Sequence, residues 1–109
     1  MLEAWLGAFV LTQCVECPLY KRALDPGTRP WLKAFSVSAL THPMLFLVIP
    51  MLLGGQPLRP LWLVEGIVVG IEFALLRRMG VQSALFWALT ANGASLLIGG
   101  ITRSIWGWP

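Results

Sequence analysis

Charge is what this sequence is short of: Asp, Glu, Lys and Arg together make 12% of its 109 residues, against about a quarter in an ordinary soluble domain. So few charges cannot coat a globule in water. Cysteine is almost missing as well. Cys14 and Cys17 lie within one apolar run, which excludes an extracellular disulfide framework. The chain has no phosphate-binding glycine loop, nucleophile elbow, H-E-x-x-H motif or dinucleotide fingerprint. The expectation is a non-enzymatic protein with no cofactor.

What the sequence has is apolar length. Hydrophobic residues make 57% of the chain, mean hydropathy is +0.74, and there are six Trp. A membrane-crossing helix takes roughly 20 residues, so four would take about 80 and leave room only for short loops. The pattern predicts an all-α polytopic membrane protein, residues 1–109 forming one transmembrane domain with spans at about 1–20, 32–53, 61–76 and 83–105. Asp25-Pro26-Gly27 and Arg29-Pro30 mark the first loop, Gly54 to Pro60 the second, and Met79 to Gln82 the third. The four helices then form two hairpins. Met1 to Trp5 holds an acid and no base, and no small-residue cleavage site follows, so the first segment reads as a retained helix and not a signal peptide. Trp5, Trp31, Trp62, Trp106 and Trp108 fall at span ends, as an interfacial aromatic belt requires, with Trp87 inside a span.

A net charge of +3 would suggest nucleic acid in a soluble protein, but here the bases sit in short loops and report orientation. Lys21, Arg22, Arg29, Lys33, Arg77 and Arg78 flank the first and third loops, while Arg59 and Arg103 lie on the other side. Six against two places those loops in the cytoplasm and both termini outside. The expected setting is a plasma (inner) membrane, multi-pass, with the lipid bilayer as partner and no nucleic acid.

Val15-Glu16-Cys17-Pro18-Leu19-Tyr20-Lys21-Arg22 matches Ile71-Glu72-Phe73-Ala74-Leu75-Leu76-Arg77-Arg78 as (V/I)-E-x-x-L-x-(K/R)-R, and Ala39-Leu40-Thr41 recurs as Ala88-Leu89-Thr90. These echoes suggest a parallel internal repeat pairing the first span with the third and the second with the fourth.

Glu16 and Glu72 sit at matching depth, roughly 8 Å inside the cytoplasmic edge at 1.5 Å per residue. A carboxylate there faces the bundle interior or reaches the headgroups. The first case makes a facing pair that holds a proton or cation, and the second lets each glutamate snorkel to its own Lys or Arg. Glu65 shares a helix face with Glu72 about 10 Å away, and near the outer end it also complements the helix dipole. His42-Pro43 predicts a kink or local unwinding in the second span, with Ser36, Ser38 or Thr41 available to the freed Ala39 carbonyl. His42 reads as a proton relay or metal ligand, or as a hydrogen-bond partner of Asn92 across the bundle. Gly66 and Gly70, and Ala91, Ser95 and Gly99, give small-xxx-small spacing for close helix packing. Cys14 and Cys17 are a C-x-x-C pair that could favour a soft metal with Met44 or Met51, or serve as small apolar fillers.

The size, the span plan and the membrane-embedded Glu16 together resemble the small multidrug resistance transporters, a family of short proton-coupled exporters that work as dimers. That resemblance implies a proton and cation site at Glu16 alone. The chain departs from the family in its six-to-two charge bias and in lacking a third-helix Trp-Gly match, since Trp62 lies at the outer edge. The leading expectation is therefore a helix-packing subunit or scaffold, forming a homo-oligomer or part of a larger membrane complex. The alternative is a small proton- or cation-coupled carrier, dimeric, using Glu16, Glu72, His42 and Asn92. A soft-metal carrier through Cys14 and Cys17 is a third.

Overall fold

The computed structural model describes residues 2–56 and 59–108. Met1 of the expected first span, Pro57 and Leu58 of the second loop, and Pro109 lie outside them. The described chain is all-helical, with four helices and no strand.

Helix α1 (Leu2–Ala23) carries Glu3 in its first turn and Lys21 and Arg22 in its last, each complementing the helix dipole. It runs past the basic pair that the sequence places at its end. The connection to α2 is a tight turn in which Gly27 N–H donates to Asp25 Oδ1 at 3.0 Å and the Thr28 hydroxyl to Asp25 O at 2.9 Å. Helix α2 (Pro30–Leu52) starts on its own proline, which suits a position whose amide has no helical partner. Pro43 does not stop it. The helix widens instead into a π-turn at Met44–Val48, where Ile49 N–H bonds to Met44 O. The expected kink thus takes the form of a local change of winding. Ser36, Ser38 and Thr41 donate elsewhere, so none is bonded to the Ala39 carbonyl.

Gly54 and Gly55, with φ of 75° and 84°, end this helix in a conformation that a Cβ would strain. Helices α3 (Leu61–Arg78) and α4 (Ala84–Trp106) follow, joined by a short turn. Trp87 falls in the first turn of α4, so all six tryptophans lie at or near helix ends. Trp108 seats its indole against Gly7 of α1, where an added Cβ would meet Nε1 at 3.0 Å.

Two of the helices, α2 and α4, are long and apolar enough to cross a membrane. Only 22% of the most apolar stretch of each is buried within the protein, whereas the core helix of a water-soluble domain is mostly covered. Helices α1 and α3 are less apolar because they carry the glutamates and the basic pairs.

Helix α1 packs against α2 and α4, and α3 packs against the same two, so α1 and α3 stand diagonally. At the end bearing the 24–29 and 79–83 turns, Tyr20, Leu24, Ala34, Val37, Leu76, Val81, Ala84, Ala88 and Ala91 form a continuous core. Leu45, Val64 and Val68 make a smaller one between α2 and α3. At the opposite end the helices part around a cavity of about 450 Å³.

The first sequence echo is in register: Glu16 and Glu72 are buried, as are Tyr20 and Leu76, four residues on. The second is not. Ala88 is buried and Ala39 half-buried, whereas Thr41 is buried and Thr90 half-buried. By burial, Ala34 corresponds to Ala84, Ser38 to Ala88 and Thr41 to Ala91.

Candidate functional site: a buried carboxylate pair

Glu16 and Glu72 project inward from the diagonal helices and are both 0% exposed. The snorkelling alternative is thereby excluded. Glu16 accepts from the Ser38 hydroxyl of α2 on Oε2 and from the Ser95 hydroxyl of α4 on Oε1, the latter at 2.8 Å. Glu72 accepts from Tyr20 and from Asn92 Nδ2 (2.7 Å) on Oε2, and from the Thr41 hydroxyl (2.9 Å) on Oε1. All four helices therefore contribute to one polar network inside an apolar bundle.

The spacing that builds it is helical. Tyr20 stands four residues after Glu16, so α1 gives one carboxylate and also a donor to the other. Ser38 and Thr41 lie three apart on the buried face of α2, and Asn92 and Ser95 three apart on α4. Asn92 has a further partner, Ala88 O at 2.9 Å, and its Nδ2 stands 3.2 Å from the Tyr20 hydroxyl.

The electrostatics do not close within the protein. Every donor to these carboxylates is neutral, and among the described residues neither has a Lys or Arg partner. Burying an ion costs several kcal/mol even after relaxation. A hydrogen bond to a charged group returns about 1.5–3 kcal/mol. Five such bonds hold the oxygens in place, and the two carboxyl groups share one buried network with no cationic side chain in it.

Two of the donors have somewhere else to turn. The Ser95 hydroxyl also lies 3.0 Å from Asn92 O, and the Thr41 hydroxyl lies 3.3 Å from Val37 O and 3.2 Å from Ser38 O. Each hydroxyl has one proton. It can serve either the carboxylate or a main-chain carbonyl. Neither state leaves a donor unpaired, which a buried site requires.

His42 lies beside this network without joining it. Its ring stacks on Phe46 at 5.4 Å and tilts toward Phe9 at 6.5 Å. Its Nε2 is buried and has no hydrogen-bond partner. The expected His42–Asn92 bond is not formed: both protons of the Asn92 amide nitrogen are taken by Glu72 and Ala88 O, and His42 Nε2 and Asn92 Oδ1 have no partner. One donor atom each of Glu16, His42 and Glu72 lies within 4.8 Å of the others.

His42 and Ser95 line the cavity, together with Trp5, Phe9, Phe46, Glu65, Gly99 and Arg103. The cavity therefore runs from the open end to Ser95 and His42, which adjoin the carboxylates; Glu16 and Glu72 themselves do not line it. Glu65 sits in its wall, beyond the first turn of α3, so the dipole role expected of it gives way to a place in the cavity lining. The other expected features are not at the site. Cys14 is exposed, and the half-buried Cys17 thiol donates to Gln13 Oε1 at 3.6 Å. Among the described residues, the group able to hold a metal contains no cysteine.

Ala91 is buried, and a Cβ on Gly99 would touch Leu11 at 3.6 Å, so these two residues of that face lie against the rest of the chain. Gly66 and Gly70 do not. Both face outward, with nothing within 4 Å of an added Cβ. Tyr20, which ends the expected first span one turn after Glu16, and Ser38 are carboxylate partners that the sequence does not single out.

No protein-family model, curated protein or solved structure matches this chain.

Proposed function

We propose that the chain is a small polytopic membrane carrier that binds a cation between Glu16 and Glu72 and exchanges it with one face of the membrane through the cavity. The observation that carries this reading is the pair of fully buried carboxylates, met by five neutral donors and no cationic side chain. A structural polar network would be expected to balance its own charge, whereas a transport site leaves that charge to its cargo.

All four helices span the bilayer in this reading. The polar groups of α1 and α3 that depress their hydropathy point inward, while Leu2, Leu6 and Val10 of α1 and Leu63, Ile67 and Ile71 of α3 are exposed, as lipid-facing side chains are. Six of the eight basic residues flank the packed end. The positive-inside rule puts that end in the cytoplasm and the cavity, with both chain ends, outside a plasma (inner) membrane.

The test is flux into liposomes carrying the purified protein, read with a pH dye, with Tl⁺ quenching and with Mn²⁺ quenching. One of these cations should enter faster than in protein-free vesicles, and Glu16→Gln with Glu72→Gln should remove the difference. Equal flux through that double variant, or no flux of any of the three through the unaltered protein, overturns the reading.

The scaffold reading keeps one specific support, the outward Gly66 and Gly70 face of α3, where another helix could approach closely. Replacing both glycines by Leu should convert an oligomer in mild detergent to a monomer. An unaltered protein that is already monomeric removes that support.

A further inference from the structure

The geometry points to a divalent first-row transition-metal ion as the cation, bound by Glu16, Glu72 and His42. This inference rests on the cation-binding reading above and names the class of ion that the same site takes. Three donor atoms from three helices already lie within 4.8 Å of one another. Ligand atoms around a metal at about 2.0–2.2 Å stand roughly 3.4 Å apart, so modest side-chain rotation closes the set.

An independent observation concerns the uncharged groups. His42 Nε2 is buried with no partner, and so is Oδ1 of Asn92, a residue only 4% exposed whose Nδ2 donates to Glu72. Buried polar atoms are ordinarily paired. A buried imidazole nitrogen without a partner, on a ring with one nitrogen within 4.8 Å of both carboxylates, has the arrangement of a ligand.

The donor set selects the ion. Two carboxylates balance a double positive charge. Two oxygens with one imidazole nitrogen suit Mn²⁺, Fe²⁺, Co²⁺ or Zn²⁺ better than a soft ion, which would call for the cysteines. A site with a nitrogen donor is also a poor match to Ca²⁺ and Mg²⁺, which take oxygen ligands. Tyr20, Thr41 and Asn92 orient Glu72, and Ser38 and Ser95 orient Glu16. Such outer hydrogen bonds fix the geometry of ligating carboxylates. The cavity, lined by His42 and Ser95, gives the ion its path.

Titration of the purified full chain in detergent with Co²⁺, followed by visible absorption and equilibrium dialysis, tests the assignment. The expected result is a single saturable Co²⁺ per chain with no sulfur-to-cobalt charge-transfer band. His42→Ala should weaken it at least tenfold, and Ser38→Ala by about tenfold. Glu16→Gln with Glu72→Gln should abolish it, and Cys14→Ser with Cys17→Ser should leave it unchanged. Helical circular dichroism and elution volume show whether each variant folds, and Ser38→Ala serves if His42→Ala does not. Absence of saturable binding, or binding unaltered by both His42→Ala and Ser38→Ala, overturns the metal site. If Co²⁺ fails to bind while H⁺ or Tl⁺ flux still depends on the two glutamates, only the metal assignment falls. If both measurements fail, the carrier falls with it.

Discussion

The two ends of the bundle are made from the same four helices and differ in how side-chain sizes meet. At the packed end, large residues of α1 and α3 and the turns beyond them, Tyr20, Leu24, Leu76 and Val81, stand against Ala34, Ala84, Ala88 and Ala91 of α2 and α4. Large against small fills the space. At the other end small residues recur on both sides, with Ala4 and Ala8 of α1 near Gly99 and Gly100 of α4, and a cavity remains. The difference teaches that the opening is written in residue volume along the helices and does not depend on a long loop.

Adding volume should separate the two ends most sharply. Ala88→Leu places extra carbons in a filled core and should lower stability by about 1–3 kcal/mol, measured by denaturant unfolding in detergent. Ala8→Leu adds the same volume to the cavity wall and should change stability by less than about 0.5 kcal/mol. Equal losses would dissolve the comparison. Where the ends meet, Tyr20→Phe removes one donor to Glu72 and leaves the ring in the core; a loss of about 1–2 kcal/mol is expected in the same assay. No loss would mean that the hydroxyl contributes nothing to holding the carboxylate. The finest distinction is access. With Cys14 and Cys17 replaced by Ser, a thiol at Thr28 should react with an impermeant reagent from the cytoplasm only, and one at Ser95 from outside only. One at Ser38, which is fully buried, should react from neither side unless the bundle opens. Labelling of Ser95→Cys from the cytoplasm would reverse the orientation.

The helices were legible because apolar runs, prolines and glycines bound them. The carboxylate pair was legible too, since its echo repeats a costly residue at the same distance from a basic pair, and depth along a helix is set by residue count alone. The partners were harder. Within α2, Ser36, Ser38, Thr41 and His42 crowd two turns, and the sequence gives no reason to prefer Ser38 over Ser36 as the inward hydroxyl. That choice depends on how α2 is rotated against α1, which is decided by packing. The Ala-Leu-Thr echo misled for the same reason, because three common residues carry no information about helix rotation. His42 stands out in the sequence as a histidine within a span beside a proline, but its lack of a partner is visible only in the structure, where Asn92 engages Glu72.

The π-turn after Pro43 sets where Phe46 stands in the cavity wall relative to His42. A π-turn stands one residue away from ordinary α winding, and the proline amide that would tie its start to Ala39 does not exist. Tightening the turn by that residue would slide Phe46 around the axis relative to His42 and reshape the cavity wall. Ser38 and Thr41 precede the proline, so their bonds to the glutamates do not depend on how that turn is wound.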